Sequence, residues 1–149
     1  MRCLTLMALL LLPAQLAGQG PHPSPSPAKA FEIDLAQVKW TDFGPIQIAE
    51  LYVDSVTGAT QMLFRIPPNS TSPCHWHHAA ESNLVVQGSA EMRHAGRRDW
   101  TALDVGGFSF VPKRMPHQIR SGPTLTIVFS TLDGRFDFNA VSDSQCTRG

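Results

Sequence analysis

The stretch "CHWHHAAESNLVVQG" (74–88) holds three of the chain's six histidines, with a glutamate four residues past the second of them. Its second half, "SNLVVQ" (82–87), is rich in β-branched and apolar residues and stops at Gly88, so it reads as a strand closed by a turn or bulge. Residues 74–78 read as a shorter strand before it. Successive side chains on a strand point to opposite faces. His75 and His77 therefore share one face, while Cys74, Trp76 and His78 take the other. The same parity groups Glu81, Asn83 and Val85, with Leu84 and Val86 opposite.

Working outward, no long stretch shows helical periodicity. Short β-rich runs recur at roughly eight- to twelve-residue spacing, separated by Gly, Pro, Asn and Asp, as in a sandwich or barrel. "IQIAELYV" (46–53) and "TQMLFRI" (60–66) flank the turn sequence "DSVTG" (54–58). Further runs lie at 90–95, 99–105, 108–112, 116–121 and 124–132. Segment 31–43 fits either a strand or one helical turn. The polar tail after Val141 is expected to fray. The fold class is all-β, a barrel whose inner face mixes a few polar groups with apolar ones.

Two imidazoles two residues apart on one strand lie side by side, and Glu81 at the start of the next strand can close on the same ion. A further ligand must come from another strand. His117 is the obvious candidate, on a strand that follows a Gly–Gly turn and a proline. Three imidazoles and a carboxylate suit one divalent transition metal per chain, Fe, Mn, Ni, Cu or Zn, with positions left open if the ion is octahedral. Without an ion, such an inward cluster would leave costly unpaired polar groups.

Around that cluster, Asn83 is the best additional polar group. It either hydrogen-bonds a ligand or water, or sits at the rim as a surface residue. Val85, Phe108 or Phe110, Ile119, Met62, Phe64 and Met92 are candidates for an apolar wall. Glu91 lies past Gly88, where it could turn in or out, and no second carboxylate suited to general acid–base work is evident. His78 points away from the ion, and His94, beside the turn "HAGRRD", is expected to be solvated. Trp76 is expected to pack between layers or at a subunit contact. Arg65 and Arg120 read as solvated in preference to pairing with an acidic substrate.

The ordered spacing His75-x-His77-x3-Glu81-x6-Gly88 resembles the first motif of the cupins. "GGFSFVPKRMPHQIRS" (106–121), read Gly106-x5-Pro112-x4-His117, resembles the second. The resemblance spans about 60–132 and implies a double-stranded β-helix, a small jelly-roll barrel of the bacterial type. It also implies that His75, His77, Glu81 and His117 are the metal ligands and that two copies pair through edge strands, where Trp76 and Leu84 would suit the contact. Three positions depart from the motifs. Asn69 and Arg114 stand where glycine is usual, and Ser121 where asparagine is usual. Asn tolerates positive φ. Small quercetinase-like dioxygenases and the cupin sensor domains of some anti-sigma factors are both similar, so an enzyme and a non-catalytic binding module both remain open.

The ends and totals bound the rest. Residues 1–17 carry a basic start, an apolar run too short to span a bilayer and small residues suited to cleavage between Ala17 and Gly20. They read as a secretory signal peptide, which places the mature chain in the periplasm or outside the cell, with no stable membrane insertion. A Pro/Ser-rich linker follows (18–30), with His22 in it, and then one domain (31–149, core about 44–134). Formal charge is zero and no basic run appears, which argues against nucleic acid or anionic membrane as a partner, while open metal positions beside an apolar wall suit a small-molecule ligand or substrate. Cys74 and Cys146 remain after cleavage. Export permits a bond between them, but two cysteines make no disulfide framework, and the reading favours two free thiols.

Overall fold

The computed structural model describes residues 29–147, so the expected signal peptide, His22 and nearly all of the linker lie outside the described residues. The undecided segment 31–43 contains both expected alternatives. Asp34 and Gln37 form a capping box around a 3-10 helix at Leu35–Gln37, and a strand β1 follows at Thr41–Phe43. The strands β2 (Ile46–Val53) and β3 (Thr60–Ile66) match the periodicity reading. Asp54 makes their turn: its carboxylate accepts the N–H groups of Val56 and Thr57 at 2.9 and 2.7 Å. An Asx-type turn of this kind lets the chain reverse without leaving its first donors unpaired.

The remaining strands are β4 (His75–Trp76), β5 (Glu81–Gln87), β6 (Ala90–His94), β7 (Thr101–Leu103), β8 (Phe108–Val111), β9 (His117–Ser121), β10 (Thr126–Leu132) and β11 (Asn139–Ala140). They form a six-stranded sheet in the order β1-β2-β3-β10-β5-β8 and a five-stranded sheet in the order β11-β4-β9-β6-β7. Every pairing is antiparallel. The barrel is a jelly roll, and chain neighbours such as β3 and β4 lie in different sheets.

Both faces of the larger sheet are packed. Inward, Met62, Ala79 and Leu132 gather Ile48, Phe64 and Phe136. Outward, Val38, Ala49, Leu63 and Ile127 gather Trp40, Leu51 and Phe129, so the segment before β1 caps the barrel's outside. Strand parity thus sorts one chain into two apolar layers. It also turns Phe108 and Phe110 outward, 60% and 56% exposed, against the expectation that one of them lines the interior. Ser109 and Val111 are the inward residues of β8.

Turn chemistry follows the departures from the motifs. Asn69 and Arg114 both adopt positive φ, 53° and 60°, the conformation glycine would supply without strain. The Arg114 N–H donates to the His77 carbonyl at 2.8 Å, which ties this turn to the histidine strand. Ser121 accepts the Ser70 N–H at 3.0 Å and donates to the Pro67 carbonyl at 2.5 Å, so a hydroxyl holds the loop before β4.

The tail is not frayed over its described residues, through Thr147, and Cys74 and Cys146 are not free thiols. They form a disulfide with Cα atoms 5.9 Å apart. The tail returns because β11 pairs with β4, and a short helix α1 (Asp143–Thr147) then buries Cys146. Val141 donates to the Cys74 carbonyl at 2.9 Å, and the Asp143 carboxylate accepts from Gln118 Nε2 at 3.2 Å. Two-residue pairing of this kind leaves no periodic signal, so the sequence carried no hint of it.

The bond closes a separation of 72 residues, and replacing both cysteines by serine is expected to cost about 2–5 kcal/mol. Urea unfolding of the double variant beside the oxidised protein measures it. An unchanged midpoint would show that the bond contributes nothing. Gly88, at φ +73°, leaves only 2.6 Å between a hypothetical Cβ and the Leu125 carbonyl oxygen. Gly88→Ala is therefore expected to lose about 1–3 kcal/mol by the same measurement.

Candidate metal centre

Register assembles the histidines. His75 on β4 stands directly opposite His117 on β9, His77 follows one pleat later, and Glu81 opens β5. All four are buried, between 2% and 6% exposed. One ring nitrogen from each of His75, His77 and His117 lies within 4.8 Å of the others, a group that could hold a metal ion. Glu81 Oε2 lies 3.4 Å from His117 Nε2 and 3.7 Å from His77 Nε2.

Main-chain carbonyls fix the tautomers. His75 Nδ1 donates to the Pro73 carbonyl at 2.8 Å, His117 Nδ1 to the Met115 carbonyl at 3.0 Å, and His77 Nδ1 to the Asp137 carbonyl. A carbonyl can only accept, so each Nδ1 carries its proton, and Nε2 is the nitrogen left for a metal whenever the ring is neutral. Such outer hydrogen bonds orient metal-bound histidines in general. Burial pushes the His75 pKa down to about 3, helped by the nearby His117 and opposed by the Pro73 bond. Burial also lowers His77, against the pull of Glu81. Burial alone would raise Glu81, but the hydrogen bond and charge of His117, with His77 and the Asn83 amide, bring it below the ordinary carboxylate range. Bare imidazole nitrogens and a carboxylate aimed at one point repel one another unless a cation sits among them. The donor set fits a divalent transition metal.

A cavity of about 50 Å³ opens onto this cluster, enough for a few water molecules. Ile119, Phe64 and Met92 line it, as the expected wall does in part. Val85 and Met62 are buried in the core instead. Phe43, Phe136 and Phe138 line it too, and sequence reasoning missed them. Phe138 stacks on His75 with centroids 4.2 Å apart, and Phe43 meets Phe136 and Phe138 edge to face. The alternation "FDF" at 136–138 was the available signal, because it puts both rings on one face with Asp137 opposite.

Asn83 is buried, 6% exposed, and not a rim residue. Ser130 Oγ donates to its Oδ1 at 2.5 Å. Its Nδ2 completes no hydrogen bond among the described residues, yet the amide faces the Glu81 carboxylate and helps hold it ionised. His94 is half-buried and not fully solvated. It extends the inward face of β6, stands opposite His117, and its Nε2 is buried without a partner. His78 does point away, exposed, with its ring on the Asp137 carboxylate at 2.6 Å. Trp76 packs edge to face on His78, beneath Arg114. Glu91 turns outward to Arg120, which also lies over Trp100, and Arg65 lies over Trp40. Neither arginine lines the cavity.

Solved structures share this architecture. The cupin domain of Schizosaccharomyces pombe Cnp3 superposes with a TM-score of 0.60 at 15% identity, over 74% of each chain. The polyketide cyclase RemF from Streptomyces resistomycificus gives 0.63 at 19%, over 80% of this chain and 90% of that one. An E162A mutant of Bacillus subtilis oxalate decarboxylase OxdC gives 0.64 at 17%, with 78% of this chain spanning a third (33%) of that protein. No curated protein matches in sequence. These likenesses speak for the fold. The model of the ChrR cupin-like domain matches residues 28–135, most of the chain. With both motifs, the jelly roll and the buried histidine cluster in place, the chain belongs to the ChrR cupin-like domain family of the cupin superfamily.

Proposed function

We propose that the chain is an exported, metal-dependent enzyme of dioxygenase type acting on a small oxygen-bearing organic substrate. One observation supports this above others: three buried imidazoles, each with its Nδ1 proton held on a main-chain carbonyl, turn their other nitrogens toward one point beside Glu81. His75, His77, Glu81 and His117 would hold one Fe, Mn, Ni, Cu or Zn ion. When bound, such an ion supplies Lewis acidity and, if redox-active, a meeting point for substrate and dioxygen. The chain's residues supply the rest. The carbonyls keep the ring nitrogens presented, and the phenylalanine and isoleucine walls exclude bulk water.

Beyond the proposed ligands, the cavity lining carries no titratable side chain among the described residues. That favours oxygen chemistry over reactions that need a separate protein acid or base. The same lack favours a second reading, a non-catalytic domain that binds metal or a small ligand. Export is supported by the pattern of residues 1–17 and by the Cys74–Cys146 bond, since such bonds persist in oxidising compartments. Pairing of two copies belongs to the same reading. Leu84, Phe108 and Phe110 form an exposed apolar face at the edge strand β8.

Metal analysis of the purified mature protein is expected to give about one equivalent per chain, lost in His75→Ala and His117→Ala. Equal metal in all three would reject the ligand assignment. Oxygen uptake by the Fe-, Mn- and Cu-loaded protein over catechols, flavonols and diketones is expected for at least one pairing and absent in His117→Ala. Silence in every loaded form would select the binding module.

A further inference from the structure

The cavity at the histidines is the inner end of a larger space. A chamber of about 290 Å³ lies outside it, near the lower end of small-molecule pocket sizes. The two share Phe43, Ile46, Ile66, Ser72, Ile119 and Phe138 as walls. The outer chamber adds Gly44, Pro45 and Pro73, with the hydroxyl residues Ser70 and Thr71 at its edge. Among the described residues, no lysine or arginine lines either part, and Glu81 is the one acidic residue. At the inner end Asn83 has its Oδ1 occupied by Ser130 and its buried Nδ2 free. That leaves an N–H donor beside the Glu81 carboxylate with no full hydrogen bond among the described residues.

We infer that these two spaces form one binding site for a ligand with an apolar, ring-sized body in the chamber and two adjacent oxygens at the inner end, one accepting from Asn83 Nδ2, and that the ligand carries at most one negative charge. The charge limit is arithmetic and rests on the metal reading above. A divalent ion held by Glu81 and three neutral imidazoles keeps one positive charge. A singly ionised ligand neutralises it. A dianion leaves a net negative charge among phenylalanines and isoleucines, with no cationic side chain to meet it, and burying an uncompensated charge is costly. The site therefore selects a molecule such as an enolised dicarbonyl or a hydroxy-ketone ring over a short dicarboxylate.

Tropolone and oxalate separate these alternatives, because both chelate through adjacent oxygens. Tropolone is a ring with one ionisable proton, whereas oxalate is a bare dianion. Each is titrated into the Cu(II)-loaded protein and followed by EPR and visible absorption, with metal content checked after dialysis. Tropolone is expected to bind about tenfold or more tightly than oxalate. Asn83→Leu, matched in size but without the donor, is expected to keep its metal and lose about tenfold in tropolone affinity. Ile119→Arg, which places a cation on the shared wall, is expected to narrow or reverse the preference. Oxalate binding as tightly as tropolone in the wild type would overturn the inference, as would wild-type tropolone affinity in a folded, metal-loaded Asn83→Leu. If the wild type takes up no metal, the metal reading fails by itself, and tropolone is titrated into the metal-free protein by calorimetry. Binding there that weakens in Asn83→Leu retains the chamber and its donor, and no binding rejects them too.

Discussion

Three N–H···O=C bonds from histidine rings to the main chain are the constraint on which the site depends. Each acceptor lies in a different part of the fold: Pro73 before β4, Met115 in the turn before β9, and Asp137 on the returning tail. A ring whose Nδ1 is held in this way has one tautomer and one orientation. Its other nitrogen is then directed by the backbone instead of by a flexible side chain. The barrel, the second motif and the tail must all be in position before the three nitrogens converge.

The tail therefore belongs to the site as well as to the fold. Asp137 offers its carbonyl to His77 and its carboxylate to His78, so one residue grips both sides of the strand that carries the ligands. Phe136 and Phe138, on either side of it, roof the cavity. The pairing of β11 with β4 and the disulfide at Cys74 keep this strap against the histidine strand. The covalent bond is placed one residue from His75, so stabilising the tail and holding the histidine strand are the same act.

Burial gives the site its electrical character. Protonation of His75 and His77 is disfavoured because a charged ring would lose its hydration in an apolar interior. Burial pushes Glu81 toward the neutral acid, and the hydrogen bond and charge of His117, with His77 and the Asn83 amide, outweigh it. A carboxylate and bare ring nitrogens at close range make a site suited to a cation, and the surrounding phenylalanines keep water from screening it. The arginines lie on the outside, over tryptophans, where their charge does not reach the cavity as a lining group.

Strand parity in the sequence determined a good deal. Period-two alternation in 74–88 separated His75, His77, Glu81 and Asn83 from Cys74, Trp76 and His78, and the bounds of β2 and β3 followed from periodicity flanked by turn residues. Parity is a local property, so it survives without knowing the fold. It failed where direction depends on which residue begins the count, as with Phe108 and Phe110, which Ser109 displaces outward. It also gave nothing for His94, whose burial comes from standing opposite His117 on a neighbouring strand. The disulfide, the phenylalanine roof and the carbonyl partners join residues far apart in the chain. Only the tertiary structure could decide them, because their physical cause is strand pairing between segments that carry no mark of each other.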